Sequence, residues 1–107
     1  MDDLKTLTEF LEMTDRAQEM LSDFGKSKGL RSLLLDMRKR VREESKQLGH
    51  HRKGTRYDLC LIGILEEIYY FDKTSWENVV GLDQRLARIR EEIERTIQEM
   101  KSKRTLM

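Results

Sequence analysis

Residues 56–71, with the sequence RYDLCLIGILEEIYYF, decide the fold of this 107-residue chain. They contain the longest apolar run of the sequence, Leu59 to Leu65, and as a helix this run would be apolar on nearly every side. A helix of that kind must be surrounded by other elements of the protein. We therefore expect the other helices to wrap around this segment.

A short apolar run also fits a buried strand, so two structures compete for Leu59–Leu65. We favour the helix because no partner strand is visible elsewhere, and an unpaired strand leaves its backbone hydrogen bonds unsatisfied. Thr55 and Asp58 resemble a capping box and predict that this helix begins at Arg56. Gly63 is its weak point, tolerated where another helix packs closely against it.

Three further helices are predicted from apolar residues that recur every three or four positions. The first is capped by Asp2 or Asp3 and runs to about Phe24, where Gly25 supplies the stop, and a flexible joint follows at residues 26–29. The second spans Leu30–Leu48 and ends before an exposed basic connection.

The final helix is predicted to be the longest, because its apolar residues form a narrow seam of the coiled-coil type. Thr74 and Glu77 form its capping box, Gly81 is where an interruption is expected, and the tail from Lys101 is expected to fray. The seam residues expected to carry self-association are Leu82, Leu86, Ile89, Ile93 and Ile97. The ion pairs expected beside the seam are Arg88 with Glu92, Arg90 with Glu94, and Arg95 with Glu99.

Together these elements predict an all-α protein in which residues 1–107 form a single domain. The expected architecture is a small antiparallel bundle of about four helices with a long C-terminal helix, since short connections make neighbouring helices antiparallel. The absence of proline, the charged fraction of 38% and the apolar fraction of 37% are typical of long helices with solvated outer faces.

The cellular context is inferred from what the sequence lacks. The single cysteine, Cys60, cannot form an internal disulfide and lies in the apolar run, so we expect a buried thiol. Asp2 and Asp3 stand where a signal peptide would carry positive charge. No apolar run reaches the roughly 18 residues that a membrane span needs. We therefore expect a cytoplasmic protein.

No catalytic, metal or cofactor site is predicted. The two histidines, His50 and His51, are adjacent in a connection, where they would chelate a metal poorly. Cys60 has no neighbouring histidine to activate it. Glu66 and Glu67 continue the apolar helix, and an enzyme that uses one of them in a bundle pocket is kept as a third functional hypothesis.

Positive charge is concentrated between residues 38 and 56, where eight basic and two acidic side chains give a net charge of +6. Such a segment suits an anionic partner, either nucleic acid, an acidic protein surface or an anionic membrane, although a solvated surface explains it equally well. The eight candidate contact residues are Arg38, Lys39, Arg40, Arg42, Lys46, Arg52, Lys53 and Arg56.

The sequence therefore indicates a non-catalytic protein-interaction or regulatory module that associates with itself through the C-terminal helix, as a homodimer. The same seam can instead pack within its own bundle, and both arrangements stay open. The alternative function is a nucleic-acid-binding accessory protein that uses residues 38–56. Tyr69, Tyr70, Phe71 and Trp76 form the aromatic cluster, for which core packing is the simpler explanation and an exposed recognition patch the other.

Overall fold

A computed structural model describes residues 3–22, 27–73 and 79–105. Four α-helices account for nearly all of them, and these ranges contain no strand, which confirms the all-α bundle and the long C-terminal helix. The helices are α1, Asp3–Ser22; α2, Ser27–Gln47; α3, Arg56–Lys73; and α4, Val79–Thr105. A short 3-10 turn at His50–Arg52 connects α2 to α3.

The helices follow one another around the bundle, so each packs against two others. α1 lies between α2 and α4, and α3 lies between α2 and α4 on the opposite side. Contacts between the start of one helix and the end of the next show the antiparallel arrangement: Arg40 of α2 pairs with Glu9 of α1, and Tyr57 of α3 bonds to Glu44 of α2. The long helices give an elongated molecule of 47 × 25 × 19 Å.

The core takes one stripe of apolar side chains from each helix. Because one side of each helix faces the bundle axis, the buried residues recur every three or four positions. The largest fully buried side chains are Leu7, Phe10, Leu34, Met37, Leu61, Ile64, Ile68, Leu82, Leu86, Ile89 and Ile93. Four residues of the α4 seam are therefore part of the core of a single chain.

The expectation that α3 would be surrounded is wrong. Its inner side is buried, including Cys60, Leu61 and Ile64, but Leu59 is 50% exposed and Ile62 is 41% exposed. The physical reason is the geometry of a four-helix bundle, in which a helix contacts two neighbours and keeps its outer side in solvent. The apolar run therefore supplies more apolar surface than the bundle covers.

The predicted helix ends need three corrections. α2 begins at Ser27, so Gly29 lies in the helix and not in a joint. α4 runs through Gly81 without interruption and continues to Thr105, past the predicted fraying point. The expected stop at Gly25 and the capping box of Thr74 with Glu77 lie outside the described residues.

The start of α3 agrees with the capping prediction. Asp58 N donates to Thr55 Oγ1 at 3.3 Å, and Asp58 Oδ2 accepts a hydrogen bond from Gly54 N at 2.8 Å, one residue before the usual partner. Gly54 has a φ of 80°, which a glycine adopts without steric cost. Gly63 faces Glu92 of α4, but a Cβ there would meet Glu92 Cγ at an ordinary 3.6 Å, so close packing does not require the glycine.

Within the described residues, no helix combines the length and the hydrophobicity that crossing a bilayer requires.

The position of the α4 seam gives a test that separates core packing from a dimer interface. We expect Leu86→Ala to lower the free energy of unfolding by about 3 kcal/mol, because it leaves a cavity in the core. The substitution should not alter how the midpoint of thermal unfolding depends on protein concentration. A concentration dependence that is present in the unmodified chain and lost in Leu86→Ala would show instead that the seam joins two chains.

Candidate functional site

Several of the basic residues predicted to contact an anionic partner are already engaged with the chain itself. Arg40 Nη2 lies 2.6 Å from Glu9 Oε2, and its guanidinium lies 5.4 Å from the centre of the Phe10 ring. This arrangement joins α2 to α1 by an ion pair and a cation–π contact. Arg40 thus has a structural partner on a neighbouring helix.

A second basic residue, Arg52, belongs to a cluster at one end of the bundle. It pairs with Asp3 of α1 and lies 5.3 Å above the ring of Tyr57. The Tyr57 hydroxyl donates a hydrogen bond to Glu44 Oε2 at 3.2 Å. Burial, together with the nearby carboxylate of Glu44, raises the pKa of Tyr57 far above its ordinary value. The phenol therefore stays protonated and holds α3 to α2.

Arg56 is the most deeply engaged of these cations. Its Nη1 lies 2.8 Å from Glu92 Oε1 and its Nε lies 2.8 Å from Glu99 Oε2, so one guanidinium binds two carboxylates of α4. The side chains of Arg56 and Glu92 are only 20% and 27% exposed. The hydrogen bond to Glu92 is the main cause that holds the pKa of Arg56 above its ordinary value.

This double ion pair explains why two predicted pairs within α4 do not form. Among the described residues, Glu92 pairs with Arg56 and lies 4.0 Å from Arg95, and Glu99 also pairs with Arg56. Arg95 turns instead to Glu91, at 3.5 Å. The third predicted pair, Arg90 with Glu94, forms at 3.0 Å, and Arg90 also contacts Asp15 of α1.

Four of the five remaining cations of the segment lie on α2, and the fifth, Lys53, follows the 3-10 turn. Lys39, Arg42 and Lys46 are exposed, and in the described part of the chain they make no ion pair. Arg38 lies beside Arg42 at the edge of a groove, and Lys53 Nζ bonds to the carbonyl of Ser45 at 3.3 Å. The eight predicted contact residues therefore do not form one patch. The cations on α2 other than Arg40 form a stripe, which we call the basic stripe: Arg38, Lys39, Arg42 and Lys46.

Next to the basic stripe lies the outer side of α3, which we call the open face: Leu59, Ile62, Glu66, Tyr69 and Tyr70. These residues are spaced by three, four, three and one positions, so they form a single stripe along the helix. The four apolar and aromatic side chains among them are between 41% and 53% exposed. Glu66 is the acidic residue within the open face and is also exposed.

A groove of about 480 Å³ separates the basic stripe from the open face. Its α2 wall carries Arg38 and Arg42, and its α3 wall carries Ile62, Leu65 and Glu66. A second hollow of about 410 Å³ continues along α2 beside Leu35, which is 43% exposed. The result is a groove with apolar and aromatic side chains on its α3 wall and cations on its α2 wall.

Two tyrosines mark one end of this groove, and they are held in place. The Tyr69 and Tyr70 rings meet edge to face with centroids 5.9 Å apart. Arg85 of α4 lies 4.2 Å above the Tyr70 ring and its Nη1 lies 3.0 Å from Glu67 Oε2. The expectation that these tyrosines pack in the core is wrong, because both are about half exposed. Trp76 and the side chain of Phe71 lie outside what the structure describes.

The residues considered for catalysis lie in different surroundings. Cys60 is fully buried, and burial raises the pKa of its thiol to about 11. Glu67 is held by Arg85, whereas Glu66 is exposed. His50 and His51 are exposed in the 3-10 turn. In the described ranges, no group of three or more histidine, cysteine or acidic side chains could hold a metal ion.

The predicted self-association residues lie mostly inside the bundle. Leu82, Leu86, Ile89 and Ile93 are at most 1% exposed, and Ile97 is partly buried against the same core. In the folded chain these side chains contact the other helices of the same chain.

Comparison of the chain with protein-family models, with curated proteins and with solved structures found no match.

Two matched substitutions compare the contribution of Arg56 to stability with that of an exposed cation of the basic stripe. We expect Arg56→Met to lower the free energy of unfolding by about 1–2 kcal/mol, because it leaves Glu92 half-buried without its partner. The control, Arg42→Met, removes an exposed cation and should change stability by less than about 0.5 kcal/mol. Urea denaturation measures both, and equal losses would contradict this division of roles.

The buried thiol predicts a pH dependence of stability. Above the ordinary thiol pKa of 9.0, the unfolded chain loses the Cys60 proton while the folded chain keeps it up to about 11. The free energy of unfolding should therefore fall as the pH rises through this interval. Cys60→Ala is the control, because the variant lacks this contribution. The difference in unfolding free energy between the two proteins should shrink between those pH values, and a constant difference would contradict the burial of the thiol.

Proposed function

We propose that the chain is a non-catalytic protein-interaction module that binds its partner through the open face of α3. The observation that carries this proposal is the exposure of Leu59, Ile62, Tyr69 and Tyr70 on one side of a helix whose other side fills the core. Contiguous apolar patches on a protein surface commonly mark interaction sites, whereas single exposed apolar residues are ordinary. A regulatory role is consistent with a module that acts by binding alone.

The aromatic pair gives further support. Tyrosine is enriched among the residues that dominate binding energy, since it buries a large area and loses few rotatable bonds. Tyr70 is already positioned by Arg85, so less conformational entropy is lost when a partner covers it. The open face therefore combines apolar area with a pre-ordered anchor.

Self-association, where it occurs, would use this face and not the α4 seam. The seam residues Leu82, Leu86, Ile89 and Ile93 serve the core of their own chain. A second copy could contact Leu59 and the tyrosines without unfolding either bundle. A homodimer thus remains one form of the proposed interaction, with the contact moved to α3.

Nucleic-acid binding receives less support from the geometry. Arg40, Arg52 and Arg56 each pair with a carboxylate of the same chain, which removes much of the charge that would neutralise phosphates. The basic stripe alone runs beside an apolar groove, an arrangement better suited to a protein. A cytoplasmic location remains part of the proposal, supported by the lone cysteine.

The proposal is tested by site-specific photo-cross-linking in the cells that express the chain. A photoreactive phenylalanine analogue at position 62 lies on the open face, and the same analogue at position 87 replaces an exposed alanine of α4 as the control. We expect a discrete cross-linked protein from position 62 that is absent from position 87. A product at twice the mass of the chain would identify a second copy as the partner.

The substitution Leu59→Glu supplies the second arm, since it places a charge on the open face at an exposed position where the fold tolerates it. We expect this change to remove the cross-link from position 62 while circular dichroism and urea denaturation stay unchanged. Cross-links that persist in the variant, or that appear equally at position 87, would contradict a binding role for the open face.

A further inference from the structure

The two walls of the groove between α2 and α3 differ in chemistry. This difference restricts the kind of partner that can bind there. The α2 wall carries Arg38 and Arg42, and the adjoining hollow on α2 carries Lys39 and Lys46. Lys39, Arg42 and Lys46 make no ion pair among the described residues. The α3 wall presents Ile62, Leu65 and the tyrosines. A bound partner must therefore be apolar towards α3 and suited to cations towards α2.

The shape of the groove favours a helical occupant. It runs between two antiparallel helices whose register is fixed by the hydrogen bond from Tyr57 to Glu44. From Leu59 to Tyr70 the open face is about 16 Å long, which corresponds to about three turns of a partner helix. An extended strand has no comparable site, because the described residues offer no sheet edge for it to join.

Resting on the proposed function above, we propose that the partner contributes an acidic amphipathic α-helix that lies in the groove between the basic stripe and the open face. Its apolar residues, spaced at i, i+3 or i+4, and i+7, contact Ile62, Leu65 and the tyrosines. Its acidic residues lie on the flank that faces Arg42 and Lys46, where opposite charges speed association and fix the orientation.

Glu66 favours a protein partner over a membrane surface. It lies in the middle of the open face, where an anionic lipid surface would repel it and an apolar membrane interior would desolvate it. A partner helix can place one basic or hydrogen-bond-donating residue opposite Glu66, whereas a lipid surface offers no such arrangement.

The experiment uses a random peptide library displayed on phage and selected on the whole chain. Counter-selection on the Ile62→Glu variant removes peptides that bind elsewhere. We expect the enriched peptides to be net negative and to show a helical apolar period, with acidic residues on one flank of the apolar stripe. Enrichment of neutral, basic or non-helical peptides, or no enrichment, overturns the inference.

The role of the basic stripe in binding is then measured by fluorescence anisotropy, with an enriched peptide as the labelled probe. We expect the double reversal Arg42→Glu with Lys46→Glu to weaken binding about tenfold or more, and high salt to reduce the difference between the proteins. The matched control reverses two exposed arginines on other faces, Arg16→Glu with Arg88→Glu, and should leave the affinity within about twofold. Equal losses in the two double variants overturn the inference.

The outcomes keep this inference distinct from the proposed function. If cross-linking from position 62 identifies a partner but the selected peptides are not acidic helices, the groove takes another kind of protein and only the inference is overturned. If both fail, the proposed function is overturned too. Binding to vesicles of equal parts phosphatidylcholine and phosphatidylserine, lost in Ile62→Glu, would overturn the acidic helix in favour of a membrane surface.

Discussion

The structure depends on the packing of the inner side of α3 against the seam of α4. Cys60, Leu61, Ile64 and Ile68 are buried on one helix, and Leu82, Leu86, Ile89 and Ile93 on the other. A bundle helix has one inward side, so this packing uses only part of the apolar surface of α3. The remainder must face outwards. The same constraint that builds the core thus creates the open face, because residues such as Leu59 and Ile62 cannot point towards two sides of the molecule at once.

Most of the fold could be predicted from the sequence, because apolar spacing and capping residues are local signals. The Thr55 and Asp58 cap placed the start of α3 correctly, and the stripes of α1, α2 and α4 identified the core sides of those helices. The prediction failed for the outer side of α3, because the number of helices that pack against α3 decides how much of its surface is buried. An apolar run indicates that a helix has much apolar surface, but it does not state how many helices will cover that surface. A warning signal was present: five residues of α3, Tyr57 to Ile68 at helical spacing, already suffice for the core side, which leaves Leu59, Ile62, Tyr69 and Tyr70 in excess.

The candidate site shows a similar limit for charge. Counting cations between residues 38 and 56 located a basic segment, but the count could not tell which of them the chain would use for itself. That outcome depends on carboxylates far away in sequence, such as Glu9 for Arg40 and Glu99 for Arg56. Tertiary ion pairs therefore divide the segment into cations that hold the bundle together and cations that face outwards. Helical spacing within α2 identifies the outward-facing cations only when the cations in tertiary ion pairs are already known.

The contact of Arg56 with both Glu92 and Glu99 has a consequence for how α4 is aligned. A seam of similar apolar residues repeating every three or four positions is nearly degenerate under translation, since one helix can slide along another and still bury aliphatic side chains. One guanidinium that binds carboxylates seven residues apart removes this degeneracy. A slide of one helical turn, about 5.4 Å, would separate both oxygens from their partner. The periodic seam holds α3 and α4 together without a preferred register, and the ion pairs of Arg56 at one end and of Arg85 with Glu67 at the other select one.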